Sequence, residues 1–204
     1  MRHVEVLRDA VDGFGPCAET AYRWGYQLAD VLVRGGRLIA AGNGGSAAQA
    51  QHLTGELVGR YRDDREPFSA ICLSAETSTL TALVNDYPPE ELFARQVAAH
   101  GRPGDVLALL STSGRSGNVI AAARRGRQLG LTVWAFTGPL PNPLSRYAHD
   151  TLAVDAPMTA TVQELHLVAL HLVCEAFDQA LGVMPDGAAP ARGHAVPPRV
   201  VRSA

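Results

Sequence analysis

The chain has 204 residues, of which 47% are hydrophobic and 19% charged, and its net charge at pH 7 is −2. This length suits one globular domain with its own core, which argues against two separate enzymatic domains. The composition shows no basic excess that would indicate nucleic-acid binding, so we expect any bound anion to be held by local geometry.

The spacing of apolar residues predicts helix throughout residues 1–34, with a break at Gly15-Pro16. Val4, Leu7 and Val11 form one apolar stripe before the break. A second stripe follows it and consists of Cys17, Ala21, Trp24, Leu28 and Val31. Each stripe requires a partner surface, because an apolar helix face is stable only when it is covered.

From Arg37 onward, short apolar runs alternate with helical stretches, a pattern typical of βαβ units. We predict strands near 37–41, 69–73, 105–110, 132–137 and 151–154, and helices near 47–58, 77–84, 90–100, 117–129 and 159–181. Runs such as 106–110 are apolar at every position, which suits strands covered on both faces. The predicted fold is therefore α/β: a three-layer, doubly wound sheet of about five parallel strands.

The end of the chain and the cysteines suggest no further structure or membrane attachment. Residues 184–204 are rich in Pro, Gly and Ala and are predicted to form a disordered tail. Cys17, Cys72 and Cys174 are odd in number and far apart, which predicts buried free thiols. Because we find no apolar run of membrane-spanning length and no signal-peptide pattern, we expect a cytoplasmic protein without a membrane partner.

Two strand-to-helix turns have the composition of an anion-binding site. In the first turn, Gly44 and Gly45 permit close approach of a ligand, and Asn43 and Ser46 supply side-chain hydrogen bonds. The second turn is richer, since four hydroxyls and the guanidinium of Arg115 surround one helix N-terminus. The hydroxyls belong to Ser111, Thr112, Ser113 and Ser116. Helix N-termini of this kind bind phosphate in open α/β sheets.

These turns have two other interpretations. Ser, Thr and Gly are ordinary capping and turn residues, but two such turns in one sheet favour anion binding. Gly42, Gly44 and Ala47 also match a loose dinucleotide fingerprint, which requires an acidic residue at the end of the next strand. The candidates for that acid are poor, because Asp63 and Asp64 lie in a predicted loop and Glu76 comes too late. We therefore predict that these turns bind a phosphate group rather than a dinucleotide.

Polar residues on two predicted helices could perform proton chemistry or bind a metal. His52 and Glu56 are four residues apart and share one helix face. The last helix contains Gln163, His166 and His171 in an otherwise apolar stretch. Spacing alone leaves open which histidine acts with Gln163, although the more apolar neighbours of His171 favour a buried role for it.

Several motifs, taken in order, identify a family. They are Gly42-Asn-Gly-Gly-Ser-Ala47, His52-x-x-x-Glu56, Asn85-Asp86-Tyr87, Phe93-Ala-Arg-Gln96, Arg102-Pro-Gly-Asp105, Ser111-Thr-Ser-Gly114 and Gln163-Glu-x-His166 with His171. In order and separation they closely resemble those of the sedoheptulose-7-phosphate isomerases, the phosphoheptose isomerases of the sugar isomerase (SIS) fold. The resemblance runs from about Val4 to Asp178 and excludes the tail.

The resemblance implies an aldose–ketose isomerase that converts D-sedoheptulose 7-phosphate to D-glycero-D-manno-heptose 7-phosphate through an enediol. It implies zinc as cofactor, with the ligands His52, Glu56, Gln163 and His171, and it gives Glu56 and His171 the alternative role of acid/base pair. The implied substrate-binding residues are Asn43, Gly44, Gly45, Ser46, Asn85, Asp86, Ser111, Thr112, Ser113, Ser116 and Gln163.

The resemblance also implies a domain plan and an assembly. Residues 1–34 would be helices for packing and oligomerisation, 35–183 the SIS domain and 184–204 the tail. The implied assembly is a homotetramer with active sites at subunit interfaces, which would cover the N-terminal stripes. Arg115, Gly117 and Thr161 stand at positions where many relatives have other residues.

Three functions are compatible with this set of residues. The first is the phosphoheptose isomerase. The second is a non-catalytic SIS regulator that binds a sugar phosphate or, like the DnaA-initiator-associating protein, a replication initiator. A regulator has no need for His52, Glu56, Gln163 and His171 together, so their presence favours catalysis. The third, an isomerase for another ketose phosphate, stays open.

Overall fold

The computed structural model describes residues 2–183, and the predicted tail lies outside the described residues. Two helices come first, α1 (Arg2–Asp12) and α2 (Gly15–Val33). Strands and helices then alternate. They are β1 (Leu38–Gly42), α3 (Gly45–Val58), β2 (Ala70–Cys72), α4 (Thr77–Asp86), α5 (Glu91–His100), β3 (Val106–Ser111), α6 (Gly117–Gln128), β4 (Thr132–Thr137), a 3-10 turn (Leu144–Arg146), β5 (Asp150–Ala153) and α7 (Thr159–Ala180).

The five strands form one parallel sheet in the order β2-β1-β3-β4-β5. The central strands β1 and β3 are buried at every residue, which explains why both lack polar side chains apart from Ser111 at the end of β3. In this order the chain leaves β1 toward β2 and later returns to the other side of β1 as β3. The predicted doubly wound fold is confirmed.

Helices cover both faces of the sheet and create two apolar cores. The first core contains residues of α2, α3 and α7, among them Trp24, Leu53 and Phe177. The second core contains residues of α5 and α6, among them Phe93 and Val119. The molecule therefore has the predicted three layers.

The two N-terminal stripes differ in how they are covered. Trp24 of α2 is fully buried and stacks on Trp134 of β4 with ring centroids 4.7 Å apart. The partner of the second stripe is thus the chain's own sheet and α7, and the expectation that a second subunit covers it is wrong. Helix α1 has no buried residue, and Val4 is 66% exposed.

None of the helices within residues 2–183 is both long and apolar enough to cross a membrane. The three cysteines in this part of the chain are free thiols, as predicted. Cys17 and Cys174 are buried, whereas Cys72 is partly exposed.

Candidate active site

The two predicted anion-binding turns lie side by side at the carboxyl edge of the sheet. The first turn leaves β1 and the second leaves β3, and these strands are neighbours. Strand order reverses between β1 and β3, which is where open α/β sheets bind ligands. The fold therefore puts both turns at the crevice where a phosphate ligand is expected.

The hydroxyls of the second turn are not used to cap α6. Ser116 is the N-cap residue, yet its side chain makes no capping hydrogen bond. Its Oγ lies 3.2 Å from Oγ of Ser111, and Ser113 Oγ accepts a hydrogen bond from the backbone N–H of Arg115 at 3.2 Å. This arrangement argues against ordinary capping and leaves Ser113 exposed and Thr112 and Ser116 half-buried, so a phosphate could reach all three.

An amide pair that the sequence did not indicate joins the two turns. Asn43 Nδ2 donates to Asn118 Oδ1 at 2.9 Å, and Asn118 Nδ2 donates back to Asn43 Oδ1 at 3.0 Å. Asn118 lies in the first turn of α6, 75 residues beyond Asn43. Sequence spacing could not reveal a pair that forms only when β1 and β3 are adjacent.

Three predicted residues converge between α3 and α7. His52 Nε2 lies 2.8 Å from Glu56 Oε1 and 3.4 Å from His171 Nε2. One ligand atom from each of the three residues lies within 4.8 Å of the others, so the group could hold a metal ion. Burial and the neighbouring His52 lower the pKa of His171, with a smaller opposing effect from Glu56. A neutral His171 can accept a proton or bind a metal.

The structure separates the two histidines of α7. His166 is fully buried and donates from Nε2 to the backbone carbonyl of Thr137 at 3.0 Å. His171 is partly exposed and faces His52. The expectation that His171 has the more buried role is wrong, because the neighbours of a helical residue in sequence lie on other faces of the helix.

Gln163 contacts the opposite end of α3 from Glu56. Its amide packs against Gly45, where a Cβ atom would lie 2.6 Å from Gln163 Nε2. Its backbone carbonyl accepts a hydrogen bond from Gln49 at 2.5 Å. Gly45 precedes His52 by seven residues, about 10 Å along the helix axis. These contacts associate Gln163 with the first anion-binding turn.

The remaining predicted residues lie at several surfaces. Asn85 and Asp86 end α4 and are exposed, and Asn85 Nδ2 donates to Asp86 Oδ1 at 2.7 Å. Thr161 is fully buried at the start of α7, and Gly117 is exposed at the start of α6. Ser46 is 4% exposed, whereas Gly44 and Gly45 are open to solvent.

Arg115 is exposed and lines an open cavity of about 370 Å³ with Pro141, Asn142, Pro143 and Arg146. These partners follow β4, on the far side of β3 from β1. The cavity therefore borders the second turn from the side away from the crevice.

The acidic residues that could complete the dinucleotide fingerprint have other roles or positions. Glu76 caps α4 by accepting hydrogen bonds from the backbone N–H groups of Ser78 and Thr79. Asp63 and Asp64 lie in an irregular segment after α3, as predicted. This geometry gives no support to dinucleotide binding.

Comparison with known proteins decides the family. Residues 23–138 match the SIS domain family. The chain is 62% identical over 179 residues to a phosphoheptose isomerase of Streptomyces coelicolor, an alignment that covers 88% of this chain and 78% of that one. The chain belongs to the phosphoheptose isomerase family. A phosphoheptose isomerase of Thiobacillus denitrificans is 42% identical, with 85% of this chain and 88% of that one covered.

Solved phosphoheptose isomerases have the same fold. The structure from Francisella tularensis superposes with a TM-score of 0.78 at 31% identity, covering 86% of this chain and 92% of that one. The structure from Neisseria gonorrhoeae gives a TM-score of 0.75 at 35% identity with the same coverage. Membership of the phosphoheptose isomerase family favours the isomerase function over the non-catalytic SIS regulator that the sequence left as an alternative.

Proposed function

We propose that this chain isomerises D-sedoheptulose 7-phosphate to D-glycero-D-manno-heptose 7-phosphate through an enediol. The observation that carries the proposal is the convergence of His52, Glu56 and His171 in a member of the phosphoheptose isomerase family. A carboxylate and two imidazoles supply the groups that aldose–ketose isomerisation requires.

The proposed reaction transfers two protons. Glu56 removes a proton from C1 of the ketose and returns it to C2, so the carbon skeleton passes through an enediol. His171 carries the hydroxyl proton from O1 to O2. The lowered pKa of His171 keeps its imidazole neutral and able to accept that proton.

We assign the phosphate to the second turn and the rest of the sugar to the space beside α3. Ser111, Thr112, Ser113 and Ser116 would bind the phosphate with the N–H groups at the start of α6. The proposed sugar contacts are Asn43, Gly44, Gly45, Ser46, Asn85, Asp86 and Gln163. The reacting carbons C1 and C2 lie at the opposite end of a heptose from the 7-phosphate, which agrees with a proton-transfer cluster that lies further along α3 than the first turn.

The donor set fits zinc as the proposed cofactor. His52, Glu56 and His171 provide two imidazole nitrogens and a carboxylate oxygen, a mixed set that suits zinc better than magnesium. A bound zinc ion would polarise the substrate carbonyl, and Glu56 and His171 would then transfer protons only through atoms that the ion does not occupy. Gln163 stays a predicted fourth ligand, although its contact with Gly45 favours the substrate-binding role.

The assembly and compartment are part of the proposal. Residues 35–183 form the proposed SIS domain, with 1–34 as a packing and oligomerisation segment. We propose a homotetramer with active sites at subunit interfaces, supported by the lack of buried residues in α1 and α4. Three free thiols agree with a reducing compartment, the cytoplasm.

The test is to incubate the purified protein with a panel of ketose phosphates and follow the products by NMR. Conversion of sedoheptulose 7-phosphate at a higher kcat/KM than the other ketose phosphates supports the proposal. Preference for another ketose phosphate would reassign the substrate, and no turnover with any would favour the regulator. Metal analysis in parallel tests the zinc assignment, and full activity after exhaustive chelation would reject it.

A further inference from the structure

A buried arginine, Arg65, lies outside the predicted site and joins α3 and α7, the two helices that carry His52, Glu56 and His171. The Arg65 side chain is 3% exposed and lies in the segment after α3. Its Nε donates to Asp178 Oδ1 of α7 at 2.8 Å. Its guanidinium also lies over the rings of Phe68 and Phe177, at 5.6 and 5.2 Å from their centroids.

The same guanidinium terminates α3 at the turn that carries Glu56. Nη2 donates to the backbone carbonyl of Glu56 at 2.7 Å, and Nη1 donates to that of Leu57 at 3.1 Å. Nη1 also lies within hydrogen-bond distance of the carbonyls of Gly59 and Glu66. Carbonyls of the last helical turn have no partners within the helix, so such a cation keeps that turn helical.

The segment held by Arg65 also contacts the catalytic cluster directly. Tyr61 lies in this segment, and its ring centroid is 5.5 Å from that of His171. The His171 ring also meets the His52 ring, with centroids 5.0 Å apart in an edge-on arrangement. Displacement of the segment would therefore change the surroundings of His171 as well as the position of Glu56.

We propose that Arg65 is a positioning residue that sets the geometry of His52, Glu56 and His171 by linking the end of α3, the 59–68 segment and α7. This inference rests on the proposed function for its kinetic effect. Asp178 lies seven residues beyond His171, so the ion pair fixes α7 about two helical turns from the imidazole. Arg65 touches no reacting atom in this scheme.

A second Arg–Asp pair in the chain provides a control of the same chemistry. Arg37 Nε lies 3.2 Å from Asp105 Oδ2, with the Arg37 side chain 30% exposed and the Asp105 side chain 4% exposed. This pair lies just before β1 and β3, at the amino edge of the sheet, opposite the ligand crevice. Because the polar contacts of the Arg37 side chain within residues 2–183 are with Asp105 and the His100 carbonyl and not with α3 or α7, we expect its loss to cost stability without moving those two helices.

The experiment compares Arg65→Lys with Arg37→Lys. Lysine keeps the positive charge, but its single ammonium group cannot form the several hydrogen bonds that the planar guanidinium of arginine makes at once. We expect Arg65→Lys to lower kcat at least tenfold with KM changed less than twofold. We expect zinc affinity to fall 10–100-fold, the usual cost of losing support for a ligand. Arg37→Lys should leave all three values within twofold of wild type.

Further measurements make the result decisive. In metal-free protein, the ring-nitrogen NMR shifts of His52 and His171 should change in Arg65→Lys and not in Arg37→Lys. If Arg65→Lys does not fold, Asp178→Asn replaces it, with Asp105→Asn as control. Equal kinetics, zinc affinity and ring shifts in the test and control variants would overturn the positioning role. Absence of isomerase activity in wild type would instead reject the proposed function, while the zinc and NMR measurements would still test Arg65.

Discussion

Glu56 is a part-buried carboxylate that lies 2.8 Å from His52 and carries a proton between carbons in the proposed reaction. The substitution Glu56→Gln keeps the shape of the side chain and replaces the basic carboxylate with an uncharged amide. We expect kcat to fall roughly 10²–10⁴-fold, the usual contribution of a general acid or base, with substrate binding largely unchanged. Steady-state kinetics and a separate binding titration check this. A variant with more than half of the wild-type kcat would refute the assignment.

Arg115 tests whether the phosphate turn needs a fixed charge. The side chain is exposed and borders the cavity on the β4 side, and a cation at a helix N-terminus gains nothing from the helix dipole. We expect Arg115→Asn to leave KM and inhibition by inorganic phosphate unchanged, because the hydroxyls and helix amides suffice. A several-fold rise in KM with parallel weakening of phosphate inhibition would show that the guanidinium binds the substrate.

His166 should make the fold sensitive to acid. Burial lowers the pKa of His166 from 6.5 to about 4. Between these values the unfolded chain binds a proton that the folded chain does not, so stability falls as pH falls from 6.5 toward 4, by about 3 kcal/mol in all. Above pH 6.5 His166 is neutral in both the folded and the unfolded chain, so this loss of stability is absent there.

The measurement is urea unfolding of wild type and His166→Gln at pH 7 and pH 4.5. We expect the loss of stability between these pH values to be about 2 kcal/mol smaller in the variant. His100→Gln, which changes an exposed histidine at the end of α5, is the control and should behave as wild type. An identical loss in all three proteins would show that His166 does not titrate between the two states.

At this scale, the sequence predicts residues that share an element better than residues that meet across the fold. The His52–Glu56 pair was expected from i,i+4 spacing and is present. Spacing alone could not assign the roles of His166 and His171, because both lie in apolar sequence and only packing distinguishes their faces; the choice of His171 came from the family resemblance. Asn118 and Arg65 were not identified, since their partners are 75 and 113 residues away.

Among the elements, α2 and α7 approach each other closely at Gly25. A Cβ atom there would lie 2.5 Å from both Ala176 Cβ and the carbonyl oxygen of Val173. We expect Gly25→Ala to lower the free energy of unfolding by roughly 1–3 kcal/mol, because a packed interface cannot accept the added methyl group without shifting.

Gly55 is the control, since it also lies within a helix but has no atom within 4 Å of the added Cβ. Gly55→Ala should raise the free energy of unfolding by about 0.5–1 kcal/mol through helix propensity alone. Urea unfolding of both variants tests the pair. Equal effects of the two substitutions would contradict the close approach of α2 and α7.

The elements themselves were predicted well because their sequence patterns are strong. β3 is apolar from Val106 to Leu110 and is buried at every position, so its place inside a parallel sheet followed directly. The partner of α2 was harder to predict. An amphipathic stripe shows that a surface must cover it, but the surface can belong to the same chain or to another.

For the whole molecule, the order of strands decided where the two turns meet, and βαβ rhythm alone does not give that order. The sequence predicted parallel strands and two anion-binding turns. It could not show that β1 and β3 are neighbours, which creates the crevice and the Asn43–Asn118 pair. Helices α1 and α4, in contrast, have no buried residue within the described chain, and they are the surfaces where the proposed tetramer would form its contacts.

The proposed tetramer can be tested at α4, which carries the predicted substrate residues Asn85 and Asp86. Val84 is 63% exposed in this helix, and no residue of α4 is buried. An exposed apolar side chain on a lightly packed helix suits a contact between subunits. A charge buried in such a contact without a partner destabilises it.

We therefore expect wild type to sediment at about four times the chain mass of 21.6 kDa, and Val84→Asp to shift it to a smaller species. Because the predicted substrate residues lie beside the substitution, kcat/KM should fall together with the fraction of tetramer. Leu140→Asp, at a side chain that is 56% exposed in the loop after β4, is the comparison. Equal loss of assembly in both variants would show a general effect of surface charge, and a Val84→Asp tetramer with full activity would place the subunit contact away from α4.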